Sequence, residues 1–188
     1  PSFAALLEQA FGPAAELHTV ACGGLTVRVW LADATPAYCH RELAKPNLFE
    51  KRLGPWLPAD VVVVLLGTKD SIPLGGAVEP DVYAERLRQL ARQLVERGAA
   101  RVVVMAPPFI NNSPKSSLRL QGYGVEIAAM CEADPSLVCG PDLFELLGAG
   151  DFANNDRHPN ARGHAKIAAA LEVTLRDIMA LEAAPRAD

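Results

Sequence analysis

The sequence predicts an α/β fold, a three-layer α/β/α sandwich around a parallel sheet. Two observations at residues 60–67 and 101–106 carry this, and a third lies between them. Asp60-VVVVLL-Gly67 and Arg101-VVVM-Ala106 are short, continuous β-branched or apolar runs bounded by punctuating residues. A strand that alternates has one wet face; a strand with no alternation is buried on both, as inside a parallel sheet. Residues 80–97 separate the two runs and show helical periodicity. Strands separated by helices of that length pair through crossovers, and crossovers make neighbours parallel.

Each element has a local reason. Ser2 is placed to cap a helix over residues 3–11, which Gly12-Pro13 stops. Residues 16–21 read as a strand entering the glycine pair Gly23-Gly24. Residues 26–31, TVRVWL, alternate, and periodicity leaves extended and helical readings open. Residues 47–53 form a brief helix cut by Gly54-Pro55 and Pro58. In the helix of residues 80–97, Pro80 suits the first turn, and Val82, Leu87, Leu90, Leu94 and Val95 are assigned to one buried stripe ahead of Gly98. The second buried strand ends at Pro107-Pro108. A polar loop over residues 111–117 leads to a helix over 118–132, a short strand over 136–139, helical turns over 142–147 and a closing helix over 161–181. Met105 and Met130 are expected in the core. Nothing divides the chain, so residues 1–182 are expected to form a single domain and residues 183–188 a loose tail.

Composition narrows the function. Hydrophobic residues make up 50% and charged residues 21%, an ordinary globular balance. A net charge of −4 offers no electrostatic footprint for nucleic acid or an anionic membrane. No apolar run reaches the roughly 18 residues of a membrane-spanning helix. The chain starts at Pro1 with no basic-then-apolar leader, so a trimmed or processed product is expected and its localisation stays unknown. Cys22, Cys39, Cys131 and Cys139 show no metal spacing, and no metal is expected. Buried or free thiols are the favoured reading of all four; the alternative is a bridge between Cys131 and Cys139, one late in a helix and the other late in the next strand.

The most informative stretch is residues 151–166, DFANNDRHPNARGHAK. His158, followed by Pro159 and Asn160, stands at the mouth of the closing helix, where an imidazole is both exposed and held, as a general base requires. His164 reads as a packing or capping residue, and His18 and His40 have no partners at metal spacing.

This stretch resembles the last block of the SGNH/GDSL hydrolase family, D-x-x-H-P-N-x-x-G-H. Likewise ACGGLTV resembles the family's second block, with Gly23 or Gly24 as the oxyanion glycine. LLGTKDS resembles the third, with Gly67 and Asp70 in register and Lys69 where the family has Asn. The resemblance implies a flavodoxin-like sheet of order 2-1-3-4-5 and a serine esterase without cofactor, acting on small acyl or acetyl esters. His158 would be the base. The family's Asp, three residues ahead, falls on Asn155, with Asp156 one position closer. The nucleophile block has no counterpart in these residues; the helix over residues 3–11 corresponds to the one after the family's first strand, so that strand is expected ahead of Pro1. The other reading is a catalytically inactive descendant, a structural or binding subunit partnered by other protein subunits, which Lys69 and Asn155 fit directly. A nucleotide binder is weaker, because no glycine loop of the phosphate-cradling kind precedes a helix. The plain alternatives are a turn ion pair for Lys69 and Asp70 and simple turn glycines at Gly23 and Gly24.

Overall fold

Both β-branched runs are strands. In the computed structural model, which describes residues 1–21, 24–31, 49–73, 76–153 and 157–183, β1 spans Ala59–Val64 and β2 Ala99–Ala106. A third strand, β3, spans Leu137–Asp142, and the order is β1-β2-β3 with both pairings parallel. Val62 is opposite Val102, and Val104 is opposite both Val64 and Cys139. The helices are α1 (Phe3–Phe11), α2 (Val27–Trp30), α3 (Pro80–Glu96), α4 (Pro114–Ala133), α5 (Leu143–Leu146) and α6 (Ala161–Ala183).

The period of two along β2 separates two apolar layers. Val102 and Val104 face a cluster built with Leu87, Leu90 and Leu94 of α3 and Leu120 and Ile127 of α4. Val103 and Met105 face the other way, onto Leu7 and Phe11 of α1 and Ile167 and Leu171 of α6. Three layers follow directly: α3 and α4, then the sheet, then α1 and α6. Met105 and Met130 are buried, as expected.

Capping explains the helix ends. The Ser2 hydroxyl accepts from the Ala5 N–H at 3.3 Å, and Gly12, at φ 52°, closes α1. Residues 27–30 resolve to one helical turn because the Thr26 hydroxyl accepts from the Val29 N–H. Residues 49–53 form one wide turn followed by the 3-10 turn Gly54–Trp56; residues 47–48 lie outside the described ones.

Several expectations need correction. Residues 16–21 are not a strand: they lie in unladdered chain, and among the described residues the outer edge of β1 is left unpaired. For the same reason β1 is less buried than its composition implies, and Val63 stays 37% exposed. In α3 the buried stripe is Tyr83, Ala84, Leu87, Leu90, Ala91 and Leu94; Val82 and Val95 fall outside it, a turn of about 100° per residue placing them on its flanks. Helix α4 begins at Pro114, inside the expected loop, because proline at the first position needs no N–H partner and Ser117 bonds back to Ile110. Strand β3 also runs on through Gly140-Pro141, which an edge strand tolerates.

Cys131, near the end of α4, and Cys139 in β3 form a disulfide with Cα atoms 5.7 Å apart. No helix of the described residues is long and apolar enough to cross a membrane. The disulfide closes a loop of eight residues' separation and restricts the unfolded chain. Replacing both cysteines with alanine should therefore lower stability by about 2–3 kcal/mol. Urea unfolding of the double variant beside the parent checks this, and an unchanged midpoint contradicts it.

Candidate active site

Parallel strands deliver their following loops to one edge of the sheet; Gly67 to Asp70 directly follow β1 and His158 lies downstream of β3, whereas the Gly24 turn follows no strand. After β1 the chain turns at Gly67, whose φ of 122° is open to glycine and strained for other residues. A side chain here would also press on Pro107, just past β2, and on the Tyr83 hydroxyl. Two buried tyrosines support the turn. Tyr83 of α3 and Tyr123 of α4 stack with ring centroids 3.9 Å apart. The Tyr83 hydroxyl donates to the Leu66 carbonyl at 3.0 Å, while the Tyr123 hydroxyl reaches the carbonyls of Val78 at 2.7 Å and Asp70 at 3.1 Å.

Asp70 is 2% exposed, so it is no surface turn residue. Its two carboxylate oxygens accept from the Val27 N–H at 3.2 and 3.3 Å. That N–H opens α2 and has no partner within the helix, so a carboxylate there satisfies a donor and favours the helix N-terminus. The bond ties the turn at Gly24 (φ 82°) to the loop after β1. Burial pushes the Asp70 carboxyl up to about 6, against the downward pull of the Val27 bond and of Arg86. Lys69 is half-buried in the same loop, and Gly23 lies outside the described residues.

The His158 loop is built by backbone contacts and one asparagine. Phe152 and Pro159 form an antiparallel bridge, the Ala153 N–H donates to the His158 carbonyl at 2.8 Å, and the Asn160 N–H donates to the Asp151 carbonyl at 2.8 Å. The Asn160 side chain works in both directions. Its amide donates to the carbonyls of Gly150 and Phe152, and its oxygen accepts from the N–H groups of Arg162 and Gly163, capping α6. Gly163 is required, since a Cβ there would collide with the Asp151 carbonyl oxygen. Phe152 packs on Phe109, centroids 5.0 Å apart, and Phe109 follows Pro107 past the end of β2. One short segment therefore supports both the Gly67 turn and the His158 loop.

Asp151, fully buried, is a residue that the sequence pattern does not single out. Its carboxylate accepts from Lys166 at 2.6 Å and from the Gly148 N–H at 2.8 Å and pairs with Arg162 at 2.8 Å. The Lys166 bond, then the Gly148 bond, hold its carboxyl below the ordinary range. Its spacing to Arg162 and Lys166 is visible in the sequence, but not its burial. Tyr83 and Tyr123 escape the sequence reading as well, though each occupies the buried stripe of its helix. His158 is exposed. His164 packs as expected: its Nδ1 accepts from the Phe3 N–H at 3.3 Å and its ring stacks on Phe3. Burial, the N-terminal charge and nearby His158 lower its pKa, in that order. Asn155, Asp156 and His40 lie outside the described residues.

Asp70 gives the fold a pH signature. The unfolded chain ionises this carboxyl near 3.8, whereas the folded chain keeps its proton to about 6. Stability contributed by the group is therefore present below pH 3.8 and lost as pH rises through 6, by up to about 3 kcal/mol. Asp70→Asn should gain on the parent by up to that amount between pH 4 and 7, read by urea unfolding at both values. A difference that does not vary with pH contradicts the assignment.

The profile of the GDSL-like lipase/acylhydrolase family matches residues 1–166. No curated protein matches the chain. Among solved structures, Axe2, an acetylxylan esterase from Geobacillus stearothermophilus, is 20% identical with a TM-score of 0.65, over 95% of this chain and 81% of that one. LAE5, an alpha/beta hydrolase enzyme from the metagenome of Lake Arreo, Spain, is 21% identical with a TM-score of 0.64, over 96% of this chain and 82% of its own. Two further matching structures are catalytic mutants of Axe2, one with an aspartate replaced by alanine and one with a histidine three positions later so replaced. The parallel sheet, its flanking helices and the profile agree: this chain belongs to the GDSL-like lipase/acylhydrolase family.

Proposed function

We propose that these residues supply the base and oxyanion parts of a serine-type esterase for small acyl or acetyl esters, with His158 as its general base and the nucleophile block having no counterpart among them. One observation supports the reading above all: the Gly67 turn and the His158 loop share the segment from Pro107 to Phe109 at the carboxyl edge of the sheet. In this reading the N–H groups at Gly23 or Gly24, with Gly67 and Lys69, face the carbonyl oxygen, and Asp70 holds their loops together. Asn155 or Asp156 orients the imidazole, as the aspartate three residues before the catalytic histidine of Axe2 suggests.

The chemistry balances without a cofactor. A serine hydroxyl attacks the ester carbonyl carbon while His158 takes its proton, and the carbonyl oxygen becomes an oxyanion held by N–H donors. Collapse breaks the bond to the alcohol, which leaves with the proton from His158. Water repeats the two steps, giving the carboxylic acid and the free serine. In the family pattern the serine follows a strand. A strand added along the unpaired outer edge of β1, where Val63 is exposed, would bring it to the same edge. The single domain over residues 1–182 belongs to this proposal too.

The test uses the full protein with a fluorophosphonate probe and a chromogenic acetate ester. Stoichiometric labelling of one serine is expected, and His158→Ala should abolish labelling and lower hydrolysis by about a hundred- to ten-thousandfold. No labelling and no hydrolysis would overturn the esterase in favour of a non-catalytic subunit, to which Lys69 and Asn155 are suited.

A further inference from the structure

Resting on that esterase reading, we propose that the Gly67 N–H is itself a donor to the ester carbonyl oxygen, and that Tyr83 is the positioning residue that aims it. Lys69 stands where the family pattern has the Asn that donates to the oxyanion. A long ammonium side chain is a poorer fixed donor than an amide held in place. A backbone donor in the same loop meets the need without side-chain freedom.

The direction of that donor follows from its peptide. In a trans peptide the C=O and N–H point in opposite directions. The Leu66 carbonyl accepts from the Tyr83 hydroxyl at 3.0 Å, so it is turned toward α3. The Gly67 N–H, across the same peptide, is therefore turned away from α3.

Among the described residues the donor is also unused. The Gly67 carbonyl accepts from the Ser71 N–H at 2.9 Å, but no acceptor for the Gly67 N–H occurs among them. Buried backbone donors almost always have a partner, and one left open fits a group kept for a ligand. Its support is rigid. Tyr83 is buried and stacked on Tyr123, whose hydroxyl is occupied by Asp70 and Val78. Tyr83→Phe therefore removes the hydroxyl bond to the Leu66 carbonyl and keeps the ring in its place.

Two measurements test this. With an acetyl ester, Tyr83→Phe should lower kcat about tenfold or more while KM stays within about twofold, since a misaimed oxyanion donor weakens the transition state above the ground state. A purely structural tyrosine would not produce that split. In NMR spectra of the full protein, sodium acetate, whose carboxylate mimics the oxyanion, should shift the Gly67 amide of the parent, and shift it less in Tyr83→Phe. An unchanged kcat in a variant whose parent still labels with fluorophosphonate overturns the inference and leaves the esterase standing. If the parent neither labels nor hydrolyses esters, the esterase reading fails, and the acetate titration still decides: a moving Gly67 amide supports an anion-facing donor, and a silent one overturns it. Should Tyr83→Phe not fold, the parent titration alone decides by the same criterion.

Discussion

A buried carboxylate bonded to a distant backbone N–H organises the candidate site. Asp70 reaches from the loop after β1 to the first N–H of α2, forty-three residues earlier in sequence. A four-residue helix has almost no cooperative stability of its own. What places it is the match between its N-terminal donor, which has no partner within the helix, and a buried carboxylate. The cost appears in the raised pKa of Asp70, and it is offset by the loop that the bond holds in register with the glycine turn. Without this contact the Gly24 turn and the Gly67 turn would be separate loops.

The His158 loop solves the same problem with neutral groups. Asn160 caps α6 with its oxygen and clamps the preceding loop with its amide, so helix and loop cannot move independently. Asp151 adds a charged anchor beneath, held by Lys166 and Gly148. Gly163 lets the first turn of the helix approach the Asp151 carbonyl. The run from His158 to Gly163 is therefore a packing solution, and an exposed imidazole is its product.

Much of this is legible in the sequence because it is local. The β-branched runs announce strands wherever they pair, and Ser2, Pro80 and Gly12 mark helix ends through bonds within one turn. Sequence reasoning fails where a distant partner decides. Residues 16–21 have strand composition, yet composition alone does not bring a segment into register with the open edge of β1. Residues 27–30 are ambiguous between two periodicities, and Thr26 together with Asp70 settles them as helix. The serines around Pro114 suggest a loop because serines favour turns, although here they bond back over the helix start. In the site, His158, Gly67 and Asp70 are visible through a spaced motif. Tyr83, Tyr123 and Asp151 are not, since their roles come from burial and from carbonyls and cations brought to them by folding.

The central claim is that Asp70 holds the glycine turn onto the loop after β1, and the Val27 amide reports on it directly. The first N–H of a short helix ordinarily exchanges with solvent quickly, having no partner in its own turn. If the Asp70 bond holds, hydrogen exchange at Val27 is slow and approaches the rate set by global unfolding, and Asp70→Ala makes it fast. Rapid exchange at Val27 in the unmodified protein would contradict the account.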